Sequence, residues 1–242
     1  MKLSNNKILI TGGATGIGFG LAERFIRENN QVIICGRRES ALQEAAKKLP
    51  SLHVKTCDLT VAAYREELYN WISVHHPDLN VLINNAGVQQ HMSISDPDFL
   101  ARTLEEIAIN NEAPVHLSSL FINLPSLKTI INVTSGLAFV PIARIPVYCA
   151  SKAFLHSYTL SLRHLLKPKN IEVIELIPPA LNTDLGGKGL HNYAPPVSEF
   201  IDAAFIGLRQ GESEISSGFS DTMKNAGPEE LKKVFNRMNP VS

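Results

Sequence analysis

The feature that most narrows what this chain can fold into is an alternation of short Val/Ile-rich runs with longer amphipathic stretches. The runs are KILIT (7–11), QVIIC (31–35), HVKTC (53–57), NVLIN (80–84), TIINV (129–133) and EVIEL (172–176). They are nearly continuous in apolar character, which is what a strand covered on both faces of a parallel sheet requires. Between them lie stretches such as IGFGLAERFIREN, ESALQEAAKKL and YREELYNWISV, whose apolar residues recur at helical spacing. Strand and helix in such repeated succession predict an α/β fold built on a doubly wound parallel sheet. No internal repeat, low-complexity tract or linker interrupts the 242 residues, so residues 1–242 read as a single domain.

Charge and cysteine content narrow the function. Lys and Arg total 23, Asp and Glu total 23, and the net charge is zero, which removes the electrostatic footprint of a nucleic-acid or polybasic membrane binder. No apolar run suits a signal peptide or a membrane span. Cys35, Cys57 and Cys149 are too few and too odd in number for a disulfide framework. Two are expected in strands and one in a helix, all reduced, in a cytoplasmic protein. The eight histidines are scattered, which suggests no metal site, and the pair His75-His76 is expected to close a helix before Pro77.

The first run leads straight into TGGATGIGFG, where Gly12, Gly16 and Gly18 give the spacing G-x-x-x-G-x-G ahead of a helix. Glycines there let the backbone approach a pyrophosphate, and the helix N-terminus offers free N–H groups and positive dipole. That strand–turn–helix context predicts a dinucleotide site in a Rossmann-type fold. The second run ends in Cys35-Gly36-Arg37-Arg38. An acidic residue there would accept a bond from a ribose 2′-hydroxyl. Two guanidiniums favour a 2′-phosphate instead, and hence NADP, with NAD left open. Further on, VYCASK sets Tyr148 four residues before Lys152, one helical turn apart. This is either a mixed surface face or a phenol whose pKa is drawn down so that it can trade a proton.

With these residues the chain resembles the short-chain dehydrogenase/reductase family, over Lys7 to about Leu208. The TG-x-x-x-GIG motif is present as Thr11 to Gly18, taking in Gly12, Thr15, Gly16 and Ile17. Asn84-Asn85-Ala86-Gly87 matches the family's NNAG signature, and Asp58 with Leu59 stands where members contact adenine. Asn110, Ser135, Tyr148 and Lys152 match the catalytic tetrad in order, with Tyr148 thirteen residues after Ser135. Among relatives it looks most like the DltE-like oxidoreductases found with D-alanylation genes. The resemblance implies an NADP(H)-dependent oxidoreductase for a small alcohol or carbonyl substrate. In it Tyr148 is general acid–base, and Lys152 holds the nicotinamide ribose and lowers the phenol's pKa. Ser135 bonds the carbonyl oxygen. Asn110, within a helix, anchors a water behind Lys152, with neighbouring Asn111 the alternative one residue away. The family's paired helices imply a homodimer or homotetramer, here through the stretches 98–124 and 147–167 with Phe154, Leu155, Tyr158 and Leu162.

The chain departs from the family at Pro178-Pro179, where a glycine usually follows the first proline; Thr183 keeps its interval from Pro178. Proline fixes φ and removes an N–H, which puts the nicotinamide contacts in question. Thr15 stands where some NADP users carry a basic residue, so the cofactor preference rests on Arg37 and Arg38. Residues 88–96, 137–145 and a mobile loop over 182–197 are expected to wall the substrate pocket, with His91, Phe139, Arg144, His191 and Tyr193 as candidate contacts. Two other classes remain open on the sequence. One is a nonenzymatic dinucleotide-binding sensor or scaffold on the same fold. The other is a hydrolase, although no G-x-S-x-G elbow is present. The final GPEELKKVFNRM is expected to form a helix on the rim of the sheet.

Overall fold

The Val/Ile-rich runs become strands, each ending within a residue or so of its expected bounds. A computed structural model of the chain describes residues 1–240. The strands are β1 (Lys7–Thr11), β2 (Gln31–Gly36), β3 (His53–Thr56), β4 (Val81–Asn84), β5 (Thr129–Val133) and β6 (Glu172–Ile177), joined by a seventh, β7 (Glu214–Ser216). All pair in parallel, in the order β3-β2-β1-β4-β5-β6-β7. The seventh strand escapes a sequence reading because only Ile215 of its three residues is both apolar and buried. The helices are α1 (Gly16–Arg27), α2 (Glu39–Lys48), α3 (Ala62–His75), α4 (Phe99–Ile107), α5 (Ala113–Phe121), α6 (Pro146–Leu166), α7 (Val197–Gln210), α8 (Gly218–Asn225) and α9 (Pro228–Met238). Among the described residues no helix is long and apolar enough to cross a membrane.

Alternate strand residues feed two separate cores, which explains the unbroken apolar runs. Ile8 and Ile10 join Leu21 and Phe25 of α1 and Phe200 and Phe205 of α7 on one face, while Leu9 joins Leu68 of α3, Phe121 of α5 and Leu162 of α6 on the other. Each such side chain, withdrawn from water, contributes about 1.5–3 kcal/mol. The chain winds outward from β1 to β3, then returns to place β4 on the other side of β1. The crevice at that reversal, beyond the C-terminal strand ends, is where an open α/β sheet binds ligands.

Local findings both adjust and match the sequence reading. Cys57 lies one residue beyond β3 rather than in it, while Cys35 is in β2 and Cys149 in α6; all three are free thiols. The pair His75-His76 does end α3. The helical stretch near Asn110 contains a π-helical turn, Ala108–Glu112, between α4 and α5, a distortion often found at functional sites. Helix α9 begins at Pro228 with Gly227 as its cap. With α8 it packs Val234 and Met223 against Val140, just beyond β5.

Candidate active site

The glycine turn is held to β4 by side chains that have no part in either core. The Thr11 hydroxyl accepts the backbone N–H groups of Asn85 and Ala86, each at 3.0 Å. Asn85 in return donates from Nδ2 to the carbonyls of Thr11, at 2.9 Å, and Gly12, at 3.2 Å. Packing is so close that a Cβ on Gly18 would lie 2.5 Å from both Asn85 Nδ2 and the Gly12 carbonyl. Gly12 has φ +63°, and a Cβ there would meet the Ala86 Cα at 2.8 Å. Residues Gly12, Thr15, Gly16 and Ile17 thus form one wall of a groove of about 960 Å³, which continues past Asn85, Ala86 and Gly87 to Tyr148 and Lys152.

The other end of the groove is walled by Arg37, Arg38, Asp58 and Leu59. Arg38 caps α2, and Arg37 reaches Glu105 in an exposed ion pair at 3.4 Å. Such a pair is worth roughly 0–1 kcal/mol, so the Arg37 guanidinium can be exchanged to a stronger anion at little cost. Asp58 turns its Oδ1 onto the backbone N–H and hydroxyl of Thr60, at 3.0 and 2.8 Å, and lines the groove.

Ser135, Tyr148, Lys152 and Asn110 come together where β5 meets α6. Tyr148 and Lys152 are both buried, on one face of α6, and the ammonium stands 5.7 Å from the centroid of the phenol ring. Lys152 Nζ donates to the Val133 carbonyl at 2.9 Å. Burial lowers its pKa to about 8, opposed by Glu106. The Tyr148 phenol moves the other way: burial pushes it well above its ordinary value, and the neighbouring Ser135 hydroxyl only partly opposes this. The expected lowering by Lys152 is not found: burial dominates, and the one group that draws the phenol down is Ser135. Ser135 has extended backbone and accepts the Leu137 N–H at 3.1 Å. Asn110 clamps Val88 by two bonds of 2.9 Å and reaches Ser151 at 3.0 Å. A Cβ on Gly87 would lie 3.4 Å from both Asn110 Oδ1 and Lys152 Nζ, so both side chains face the same point of the groove. Asn111 instead bonds the Ser151 carbonyl at 2.7 Å.

A second cavity, of about 540 Å³, opens on the far side of Tyr148 and Ser135. His91, Arg144, His191 and Tyr193 line it as expected, whereas Phe139 turns away to pack edge-on against His156 at 4.8 Å. The loop runs over 182–196, with Val197 already in α7, and closes on itself through the Asn182 N–H to Pro195 carbonyl bond of 2.8 Å. Thr183 sits over the glycine turn and Pro178 lines both cavities, while Pro179 faces only the second. The Pro178 carbonyl is already engaged by the Gly136 N–H at 3.3 Å.

Two contributions were missing from the sequence reading. Phe219, Ser220 and Met238 of the C-terminal helices complete the second cavity, a long-range contact that no local pattern announces. Glu106 is fully buried on α4, neither carboxyl oxygen has a hydrogen-bond partner among the described residues, and burial pushes its carboxyl up to about 7. Its signal was available in outline: in FLARTLEEI the leucines recur at one spacing and the acid stands off that stripe. The stripe, however, turns out to face solvent.

The short chain dehydrogenase family model matches residues 6–193. The chain is 43% identical to the uncharacterized oxidoreductase DltE of Bacillus subtilis (strain 168), over 99% of this chain and 98% of that one. It is 29% identical to the NADP-dependent 3-hydroxy acid dehydrogenase YdfG of Shigella flexneri, over 71% of each. Its fold is similar to a short-chain dehydrogenase from Sphingobium yanoikuyae solved in complex with NADPH, with TM-score 0.78, 26% identity and 87% of each chain covered. Motif order, sheet topology and these likenesses agree: the chain belongs to the short-chain dehydrogenase/reductase family, and it is an oxidoreductase of that family.

Proposed function

We propose that the protein transfers a hydride between NADP(H) and an alcohol or carbonyl carbon, with Tyr148 as general acid–base. The observation that carries this is the position of Tyr148 between the two cavities: it lines both the glycine-walled groove and the apolar pocket. The groove fits a dinucleotide by its own chemistry, since side chains are absent where a pyrophosphate would approach and guanidiniums stand where a 2′-phosphate would lie. Bound NADPH would supply the hydride. Lys152 spends one N–H on Val133 and keeps its others for ribose hydroxyls. Ser135 donates to the substrate oxygen, where negative charge grows during reduction. Tyr148, held protonated by burial, gives that oxygen its proton. Asn110 holds the Val88 backbone and with it the floor beside Lys152.

NADP is favoured over NAD by Arg37 and Arg38, and by the NADPH bound in the Sphingobium relative. The substrate pocket is mostly apolar, and among the described residues Arg144 is the one permanently charged side chain that lines it. This suits a bulky ketone or secondary alcohol that carries an acidic group, in line with the 3-hydroxy acid named for YdfG. Keto acids should therefore be reduced with lower KM than their amides, and Arg144→Gln should erase the difference. A dinucleotide sensor would have no use for a hydroxyl and a phenol aimed into a separate apolar cavity. Among the described residues no histidine hydrogen-bonds Ser135, so the hydrolase reading has nothing to support it. The free thiols suit a reducing cytoplasm.

The test is Tyr148→Phe, assayed by NADPH oxidation and by titration with NADPH and NADH. Turnover is expected to fall at least a hundredfold while NADPH binding stays within a few fold and tighter than NADH. Retained turnover would sink the acid–base role, and preference for NADH would mean that Arg37 and Arg38 serve only solvent.

A further inference from the structure

Strand β6 carries an acid where a strand covered on both faces should be apolar. Glu175 is fully buried, and a buried carboxyl group is costly unless donors satisfy it. Its Oε1 accepts the Thr134 hydroxyl at 2.6 Å, and both of its oxygens lie 3.0 Å from His156 Nδ1. The partners come from the two elements that build the active site. Thr134 follows β5 and immediately precedes Ser135. His156 stands on α6 one turn beyond Lys152 and two beyond Tyr148, at the four-residue spacing that keeps all three near one face. Ser135 is also flanked by backbone bonds to the end of β6: Thr134 N–H to the Leu176 carbonyl at 2.9 Å, and Gly136 N–H to the Pro178 carbonyl at 3.3 Å.

The imidazole is covered by Phe139. The charged groups around it are Glu175 of β6, Glu214 of β7 and Arg163 of α6, and Arg163 is itself paired with Glu214 at 2.6 Å. Glu175 is therefore its direct partner, and that contact is the main reason the His156 pKa is raised.

We propose that Glu175, through Thr134 and His156, is a positioning residue that fixes the spacing of Ser135 and Tyr148 by tying the end of β5 to helix α6. The proposal rests on the acid–base reading of Tyr148. It adds that the site's geometry is set from beneath by one buried carboxyl group joining three elements, rather than by contacts within the two cavities. His156 and Glu175 touch neither cavity, so their effect on chemistry must pass through Ser135 and Tyr148; Thr134 borders the groove beside Val133, which is why the KM for NADPH is read with kcat.

The experiment compares Thr134→Val, which keeps shape and loses the donor, with His156→Leu, which removes the imidazole. His156→Asn is the conservative variant, leaving an N–H near the place of Nδ1. Hydrogen exchange of the whole protein with NADPH present is read over residues 134–138, alongside kcat and KM for NADPH-dependent reduction of a keto acid, acetoacetate. Thr134→Val and His156→Leu should each speed exchange at 134–138 with β1 and β4 unchanged. Each should lower kcat roughly ten- to a hundredfold with the KM for NADPH within twofold. His156→Asn should recover most of the loss, and the double variant should be no slower than either single, since both act through Glu175. Unchanged exchange in Thr134→Val and His156→Leu would overturn the proposal, as would losses that multiply in the double variant. The exchange reading needs no turnover and decides alone if acetoacetate is not reduced or if His156→Leu fails to fold. Failure of the acid–base reading shows separately, as turnover retained in Tyr148→Phe.

Discussion

At the scale of single residues, the site gathers several groups that burial holds away from their ordinary protonation behaviour. Glu106 gives the clearest consequence. Its carboxyl is raised from 4.5 to about 7, so the folded state keeps a proton that the unfolded chain has released between those values. The resulting stability is complete below about pH 4.5 and is lost as pH rises through about 7. Glu106→Gln should therefore leave the melting temperature nearly unchanged at pH 4 and raise stability at pH 8 by about 1–3 kcal/mol. Thermal unfolding at the two pH values checks this, and an equal effect at both would show that the side chain's shape, not its charge, matters. The residues that the family resemblance named at this scale do converge: Ser135, Tyr148 and Lys152 meet, and Asn110 rather than Asn111 stands beside Gly87 and Lys152. Their environment was not legible. The phenol's upward shift comes from water excluded by residues far away in sequence, which no spacing between Tyr148 and Lys152 encodes.

At the scale of elements, the β1–α1 turn shows how a local signal can be complete. Strand, glycine spacing and helix were all readable in TGGATGIGFG, and the structure supplies the reason for each small residue. Gly18 is the sharpest case, because a Cβ would collide with Asn85 Nδ2 and a backbone carbonyl at the same distance of 2.5 Å. Gly18→Ala should push Asn85 from the turn, costing about 1–3 kcal/mol of stability and weakening NADPH binding more than tenfold. Chemical denaturation and a fluorescence titration measure the two effects, and unaltered NADPH binding would remove this turn from the cofactor site. Helix α4 is the opposite case. Its apolar stripe of Leu100, Leu104 and Ile107 points to solvent, while Glu106 points inward. Periodicity found the helix and could not tell which side the rest of the protein would cover.

On the scale of the whole molecule, that outward stripe has company. Leu100 is 67% exposed and Leu104 57%, and on α6 Phe154 is 50% exposed and stacks on Tyr158. Leu155 and Leu162, which the sequence grouped with the same surface, are core residues instead. Apolar side chains gathered on neighbouring helices mark an association surface, and we propose that two copies of the chain pair through α4 and α6. Leu104→Lys should shift the protein from dimer or tetramer toward monomer in light scattering at micromolar concentration. A wild-type monomer under those conditions would refute the pairing.

The sequence by itself determined six of the seven strands, most of the helices between them and the glycine turn, and through the family resemblance it named the residues that meet beside that turn. The strands and the turn are consequences of local physics: apolar periodicity and the φ freedom and bareness of glycine, with one-turn spacing setting Tyr148 beside Lys152. Tertiary structure alone decided which face of α4 is buried, that α8 and α9 close the second cavity, that the phenol and ammonium lose their water, and that Glu175 joins Thr134 to His156. Each of these depends on residues brought together across the sheet, where burial and electrostatic environment are properties of the assembled fold and not of any stretch of chain.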